Sequence, residues 1–295
     1  MTVCSYDIIT DSSANLPDSM IDAWGLKVLS LEFIVDGVSY KGYDPDVKTD
    51  NHQFYTMMRD GKEVQTAMAS IIDAEVLLRD SFDRGQDVLY LGFDSALSAT
   101  YEVISEHMEK IRAEFYADRQ LRCVDTFGAT LGEGLLVAEA VQRRDAGYSL
   151  DQLADWAIAN RFNVACWFTV DDLKYLQRGG RLSAGAAFAG MLLSIKPVLQ
   201  IDGQGLLIPM EKLRGRRRSI QFLADKLADT IRQPTAGAPV FISHADCLED
   251  CQALERLILE RFPDVEILVN ELDPVIGAHS GPGTLAVFFW TDQER

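Results

Sequence analysis

Four segments of the chain gather hydroxyls, carboxylates or an imidazole where an anion or a carbonyl could be held. Thr10-Asp11-Ser12-Ser13 follows a β-rich run, Tyr6–Thr10, and precedes Pro17. Its polar groups therefore fall at the carboxyl end of a strand, where open α/β sheets take their ligands. Phe93 to Tyr101 lies between the run Val88–Gly92 and a long helical pattern. Free amides and the dipole at a helix N-terminus attract anions, and Ser98 adds a neutral hydroxyl donor there. Thr66, in Val64-Gln65-Thr66-Ala67-Met68-Ala69-Ser70, stands just before another helix start. His279 lies in Pro274 to Gly283, read as a glycine- and proline-rich loop between two strands. An imidazole held there can donate to an oxyanion, and its charge changes near neutral pH. Singly, each has a blander reading: Ser and Thr before a helix cap its amides, and a lone histidine is more often structural. The glycines around His279, which permit close backbone approach, favour a functional role for it. Only convergence of the hydroxyls makes them a site.

Ser98, His279 and Asp11 are also the residue types of a nucleophile, a base and an orienting group for ester hydrolysis. The sequence has no Gly-x-Ser-x-Gly elbow, and Ser98 falls near a helix start without a strained turn, which weighs against that chemistry. No Gly-x-x-x-x-Gly-Lys-Ser/Thr phosphate loop is present either.

Charge is distributed unevenly. The 295 residues carry 45 acidic and 28 basic side chains, a net −17, which repels phosphodiester backbones and anionic membrane surfaces. Nucleic acid is therefore not an expected partner. Yet between residues 173 and 218 nine basic residues, Arg181, Arg214 and Arg216 among them, face only Asp202 and Glu211. Against an acidic background such a window reads as a docking surface for an acidic partner or phosphate, the bland alternative being a solvated face. The same window holds Ser183 to Ser194, apolar and rich in small residues. Small side chains on a helix leave room for a packed neighbour or for a ligand chain, and packing is the commoner use.

These segments have to be positioned by a folded body, and composition supports one: 47% hydrophobic and 25% charged residues are ordinary globular values. The five cysteines, Cys4, Cys123, Cys166, Cys247 and Cys251, are odd in number and form no CxxC pair, so neither a disulfide framework nor a zinc ribbon is indicated. Met1 to Thr10 shows no basic region before an apolar core, and no apolar run reaches the ~18 residues of a membrane span. An unprocessed, soluble, cytoplasmic protein without stable membrane insertion is expected.

Short β-rich runs alternate with helical patterns, which argues for βα units around largely parallel sheets. Strands are expected at Tyr6–Thr10, Val88–Gly92, Leu121–Val124, Val164–Val170, Val240–Ser243, Glu266–Asn270 and Leu285–Trp290. Ser70 with Asp73, and Ser149 with Gln152, have the spacing of helix N-caps, and Gly85 and Gly147 that of helix stops. Asp36-Gly37 and Asp202-Gly203 favour hairpin turns. A length of 295 residues suggests two domains, divided near residue 155 into 1–155 and 156–295.

Five motifs in order resemble the DegV family of bacterial lipid-binding proteins: Thr10 to Pro17, Leu97 to Tyr101, Leu173 to Ser183 with its Gly179-Gly180-Arg181 step, Ile195 to Leu199, and Ile276 to Gly283. The likeness runs from Tyr6–Thr10 to Leu285–Trp290. It implies an α/β fold of two α/β domains, the first Rossmann-like with a mainly parallel sheet and the second with a mixed sheet, and a lipid pocket at or near their interface. The ligand implied is one long-chain fatty acid such as palmitate (hexadecanoate), with no cofactor and no catalysis by the carrier itself. Carried over by motif, its carboxylate is bound by Thr66 and Ser98, with His279 as the loop histidine and Arg181 as the motif arginine. Some members present the bound carboxylate to a fatty acid kinase, whose separate subunit binds ATP. A partner of that kind would dock on the basic window at Arg181, Arg214 and Arg216; the alternative is that this protein is itself a lipid-sensing regulatory module that uses the window to bind another protein or nucleic acid. This sequence departs from the family in two places: Thr-Ser-Gln-Pro-Ser becomes Thr66-Ala67-Met68-Ala69-Ser70, and Leu-Ser-Gly-Thr becomes Leu97-Ser98-Ala99-Thr100.

Overall fold

The computed structural model describes residues 6–182, 195–234 and 237–295. The small-residue segment Ser183 to Ser194 lies outside them. The first half of the chain runs β1 (Tyr6–Asp11), α1 (Asp18–Trp24), β2 (Lys27–Leu29), β3 (Glu32–Val35), β4 (Val38–Lys41), α2 (Asn51–Arg59), β5 (Val64–Ala67), α3 (Ile71–Asp83), β6 (Asp87–Gly92), α4 (Thr100–Phe115), β7 (Leu121–Asp125), α5 (Leu131–Asp145) and α6 (Leu150–Asn160). The second half runs β8 (Val164–Thr169), α7 (Lys174–Arg178), β9 (Ile195–Ile201), β10 (Leu207–Arg214), α8 (Arg216–Thr230), β11 (Pro239–His244), α9 (Leu248–Leu259), β12 (Glu266–Glu271), α10 (Pro274–Ser280) and β13 (Leu285–Trp290).

Strands β2-β1-β6-β7 form a wholly parallel sheet in that order. Their apolar runs are buried on both faces, as parallel strands require. Successive side chains point to opposite faces, so Ile9, Val88 and Tyr90 share a core with Ala74, Leu78, Ile104 and Met108 of α3 and α4. Ile8, Leu89 and Leu91 share another with Leu135, Leu136, Leu153 and Ala157 of α5 and α6. The order reverses beside β1, which puts a topological switch point at the carboxyl ends of β1 and β6.

A six-stranded mixed sheet, β10-β9-β8-β13-β11-β12, has one parallel pair, β11 with β12. Trp167, Leu285, Val287 and Phe289 face α8 and α9. The alternate residues Cys166, Phe168, Ala286 and Phe288 turn toward α5 and the first half's core. Two α/β domains, one parallel and one mixed, are therefore set against each other, and their apolar faces make the space between them. A small antiparallel sheet, β4-β3-β5, completes the fold.

All seven expected strands are present. Ser149 and Gln152 make the full capping box of α6, and Gly85 and Gly147 follow α3 and α5 at φ 79° and 96°. Asp36 and Gly37 both take positive φ in the β3–β4 hairpin. The second hairpin differs from expectation. β9 and β10 are joined by a wider loop whose positive φ falls on Gly205, while the Asp202 carboxylate accepts from the Gln204 and Leu206 amides. The division near residue 155 falls inside the continuous helix α6, which packs on β6 and β7.

The segment around His279 is helical rather than a loop. Asp273 caps α10 by accepting from the Val275 and Ile276 amides, and Pro274 opens the helix where its missing N–H costs nothing. Glycines suggested a loop because Gly277 breaks the helical pattern. Its real use is contact: a Cβ there would collide with the Tyr55 hydroxyl.

Candidate functional site

Between the two sheets lies a cavity of about 330 Å³. Its apolar wall is drawn from the whole chain: Leu31, Phe93 and Leu97 from the first half; Phe168, Ile201, Leu207, Val275 and Phe288 from the second. Thr66, Ser98, Arg181 and His279 also line it. The four residues singled out for a head group thus border one cavity, although 213 positions separate Thr66 from His279.

Each is held by local structure. Thr66 is on β5, paired with Phe33 of β3. Ser98 sits in a tight turn where Asp94 O accepts from the Leu97 and Ser98 amides; the Ser98 hydroxyl accepts from Thr100 N and lies 2.8 Å from Thr100 Oγ1. His279 occupies the last turn of α10, with Nε2 2.8 Å from Thr66 Oγ1. Arg181 donates from Nε to Leu97 O at 2.9 Å and from a terminal nitrogen to Gly179 O at 2.6 Å. It therefore ties the wall near Ser98 to the turn after α7.

Burial, with the Arg181 and Arg178 guanidiniums nearby, pushes the His279 pKa down to about 4, so the ring is neutral at pH 7. Among the described residues its buried Nδ1 has no partner. A buried N–H left without an acceptor is the rarer and costlier arrangement, which puts the single ring proton on Nε2. From there it donates to Thr66 Oγ1, and the Thr66 hydroxyl proton is left for the cavity. Gly179 is pressed so closely on the ring that a Cβ would collide with Nδ1. The polar end of the cavity thus offers neutral donors beside one fixed guanidinium, a setting suited to a carboxylate.

Asp11 is elsewhere. Its carboxylate accepts from Phe93 N at 2.8 Å and Ser13 N at 3.0 Å, clamping the ends of β1 and β6. The Ser13 hydroxyl lies 2.6 Å from both Asp11 Oδ1 and Glu133 Oε2. One hydroxyl proton serves only one of them, so a carboxyl of the pair carries the second proton. Burial accordingly raises the pKa of both Asp11 and Glu133. The Thr10 to Ser13 motif is a structural clasp, bordering a separate polar depression of about 150 Å³ with Asp18, Lys48 and Glu271. The hydrolase arrangement is not assembled: His279 bonds Thr66, Ser98 bonds Thr100, and Asp11 bonds Ser13 and Phe93.

The basic window is less bare than its sequence suggests. Lys196 pairs with Asp171 at 2.9 Å, Lys174 with Asp172 at 3.0 Å, and Arg216 with Asp250 at 2.7 Å. All three acids lie outside the window in sequence and beside it in space. Arg214 is exposed near the end of β10, and neither it nor Arg216 lines the cavity. Among the described residues no cluster of three or more His, Cys, Asp or Glu is placed to hold a metal ion, and no helix is long and apolar enough to cross a membrane.

Cavity residues that the sequence did not announce include Thr130, Cys166 and Ile201. Cys166 and Ile201 looked like ordinary strand core. Thr130 carries a signal only in three dimensions, a backbone at φ 50°, ψ −143°.

Residues 5–292 match the family model described as "Uncharacterised protein, DegV family". The chain is 38% identical over 290 residues to a DegV domain-containing protein of Clostridium perfringens, covering 98% of this chain and 99% of that one. It is 34% identical over 284 residues to one from Streptococcus pyogenes, covering 96% and 97%. Among solved structures it is similar to a DegV family protein from Thermus thermophilus, described for its fatty acid binding, with TM-score 0.85 and 25% identity over 97% of this chain and 99% of that one. A fatty acid binding DegV family protein from Streptococcus agalactiae gives TM-score 0.83 and 25% identity over 98% and 99%. With sequence and fold matched end to end, this chain belongs to the DegV family.

Proposed function

We propose that the protein binds one long-chain fatty acid such as palmitate, buries its acyl chain between the two sheets, and holds the carboxylate at Thr66, Ser98 and His279. One observation carries this reading: a cavity walled by apolar side chains that meets, on one side, a hydroxyl–imidazole pair neutral at pH 7. Each buried methylene gains ~0.8 kcal/mol, so the chain supplies most of the affinity. A carboxylate withdrawn from water needs hydrogen bonds, which the Thr66 and Ser98 hydroxyls donate. The fatty acid binding described for the Thermus thermophilus and Streptococcus agalactiae proteins supports the same ligand class here. Ala67 and Ala99, which replace a serine and a glycine of the family pattern, both line the cavity; the change at Ala67 removes one hydroxyl donor.

In this reading the protein is a cytoplasmic carrier that presents the carboxylate to a partner such as a fatty acid kinase subunit. Arg181, at the cavity's edge, and the exposed Arg214 are its contacts to that partner, while Arg216 acts through its ion pair with Asp250. Calorimetric titration with palmitate is the test. Hydrogen bonds to a charged group are worth roughly 1.5–3 kcal/mol, so Thr66→Ala and Ser98→Ala each weaken binding about tenfold or more. Unchanged affinity in both variants would move the carboxylate elsewhere.

A further inference from the structure

We infer that Thr130 and Ser243 form a second polar contact within the cavity, for an oxygen atom carried along the acyl chain, so that hydroxy- or oxo-substituted fatty acids belong to the ligand class. The inference rests on the fatty-acid reading and narrows it. Thr130 lines the cavity and is 6% exposed; its Oγ1 lies 2.8 Å from Ser243 Oγ, in a residue 1% exposed. Two hydroxyls bring two protons, and the bond between them uses one. Among the described residues neither oxygen has a further hydrogen-bond partner, so one donor and spare lone pairs stay buried where Thr130 borders the cavity.

The ordinary explanation for a threonine in this place fails. Thr130 immediately precedes α5, yet its side chain caps none of the helix amides. Its backbone holds φ 50°, ψ −143°, a region that a β-branched residue enters only under strain and that marks functional sites when the surroundings enforce it. Glycine would relieve the strain and valine would fill the same volume. The hydroxyl is what neither supplies.

Sheet register sets the pair beside apolar residues of the cavity wall. Ser243 is paired in the sheet with Ala286, two residues short of Phe288. Phe288 and Cys166 are packed so tightly by the first turn of α5 that a Cβ on Gly132 would collide with both. Thr130 and Ser243 therefore stand at the level of Ala286, which lines the same cavity. An oxygen on the chain there accepts the spare proton, whereas a plain methylene leaves it unpaired.

The test is competitive binding of octadecanoic acid against a positional series of monohydroxyoctadecanoic acids, in the full-length protein and in Thr130→Val and Ser243→Ala. The readout is the ratio of affinities within each protein, so a general loss of binding in a variant does not mimic the result. At least one positional isomer is expected to bind wild type about tenfold more tightly than octadecanoic acid, with the ratio falling to about one in both variants. No advantage for any isomer in wild type, or an advantage that survives both substitutions, would overturn the inference while leaving plain fatty-acid binding intact. Failure of wild type to bind any of the acids would overturn it together with the reading beneath it.

Discussion

The imidazole of His279 keeps its place because Gly179 has no side chain. The glycine backbone packs on the ring where a methyl group would overlap Nδ1, and the ring in turn aligns Nε2 on Thr66. Gly179→Ala is expected to leave the fold intact and to weaken fatty-acid binding several-fold by tilting the ring away from Thr66, as read by calorimetry. Thr66→Ala combined with Gly179→Ala should then cost little more than Thr66→Ala alone, since both act through one hydrogen bond. The same histidine gives a pH dependence. Its pKa falls from an ordinary 6.5 to about 4 on folding, so between those values the unfolded chain takes up a proton that the native ring refuses. Stability from this group is full above pH 6.5 and is lost as pH falls, by roughly 3 kcal/mol at pH 4 and below. His279→Gln should flatten that limb of the denaturation curve. Thr66, Ser98 and His279 were singled out in the sequence as hydroxyls ahead of helix starts and a histidine among glycines, and the family motifs joined them into one candidate site. The use of Gly179 was not, because it depends on a contact between residues a hundred positions apart.

Elements carry a second titration. The β9–β10 hairpin supplies Ile201 and Leu207 to the cavity wall, and its turn glycine, Gly205, lies against the Asp94 carboxylate so closely that a Cβ would collide with it. Asp94 is 0% exposed, and among the described residues its Oδ2 has no partner. Burial, aided by Asp125 and Asp202 and opposed by the Ala96 amide and Arg295, lifts its pKa from 3.8 to about 8. The native state therefore holds a proton that the unfolded chain has released. Stability from this group is present at acid pH and is lost as pH rises from about 4 toward 8, by up to about 1.4 kcal/mol per pH unit. Asp94→Asn should melt higher than wild type at pH 8 and show a shallower fall of Tm between pH 5 and 8; a slope unchanged by the substitution would mean that the carboxyl ionises without consequence. The principal strands and the capped helices were legible because apolar runs, caps and stops coincide. β2 and β5 were not, since three or four residues show no usable period, and α10 was hidden by Gly277 and the prolines that flank the segment.

The whole molecule is acidic outside and apolar between its sheets, and the sequence conveys these two properties unequally. Net charge is a sum and is read directly, but the basic window depends on who stands beside it. Asp171, Asp172 and Asp250 come from outside the window and neutralise several of its cations. The cavity is still less visible along the chain, because its wall is assembled from Leu31 through Phe288 and no local pattern distinguishes a lining side chain from a core one. Only the ordered motifs shared with the DegV family pointed to it. Mass spectrometry of the freshly purified protein, native for stoichiometry and after organic extraction for ligand identity, tests fatty-acid carriage most directly. One fatty acid per chain, present as purified or acquired on incubation with a range of long-chain acids, is the expected result; ligand-free protein after that incubation would contradict it.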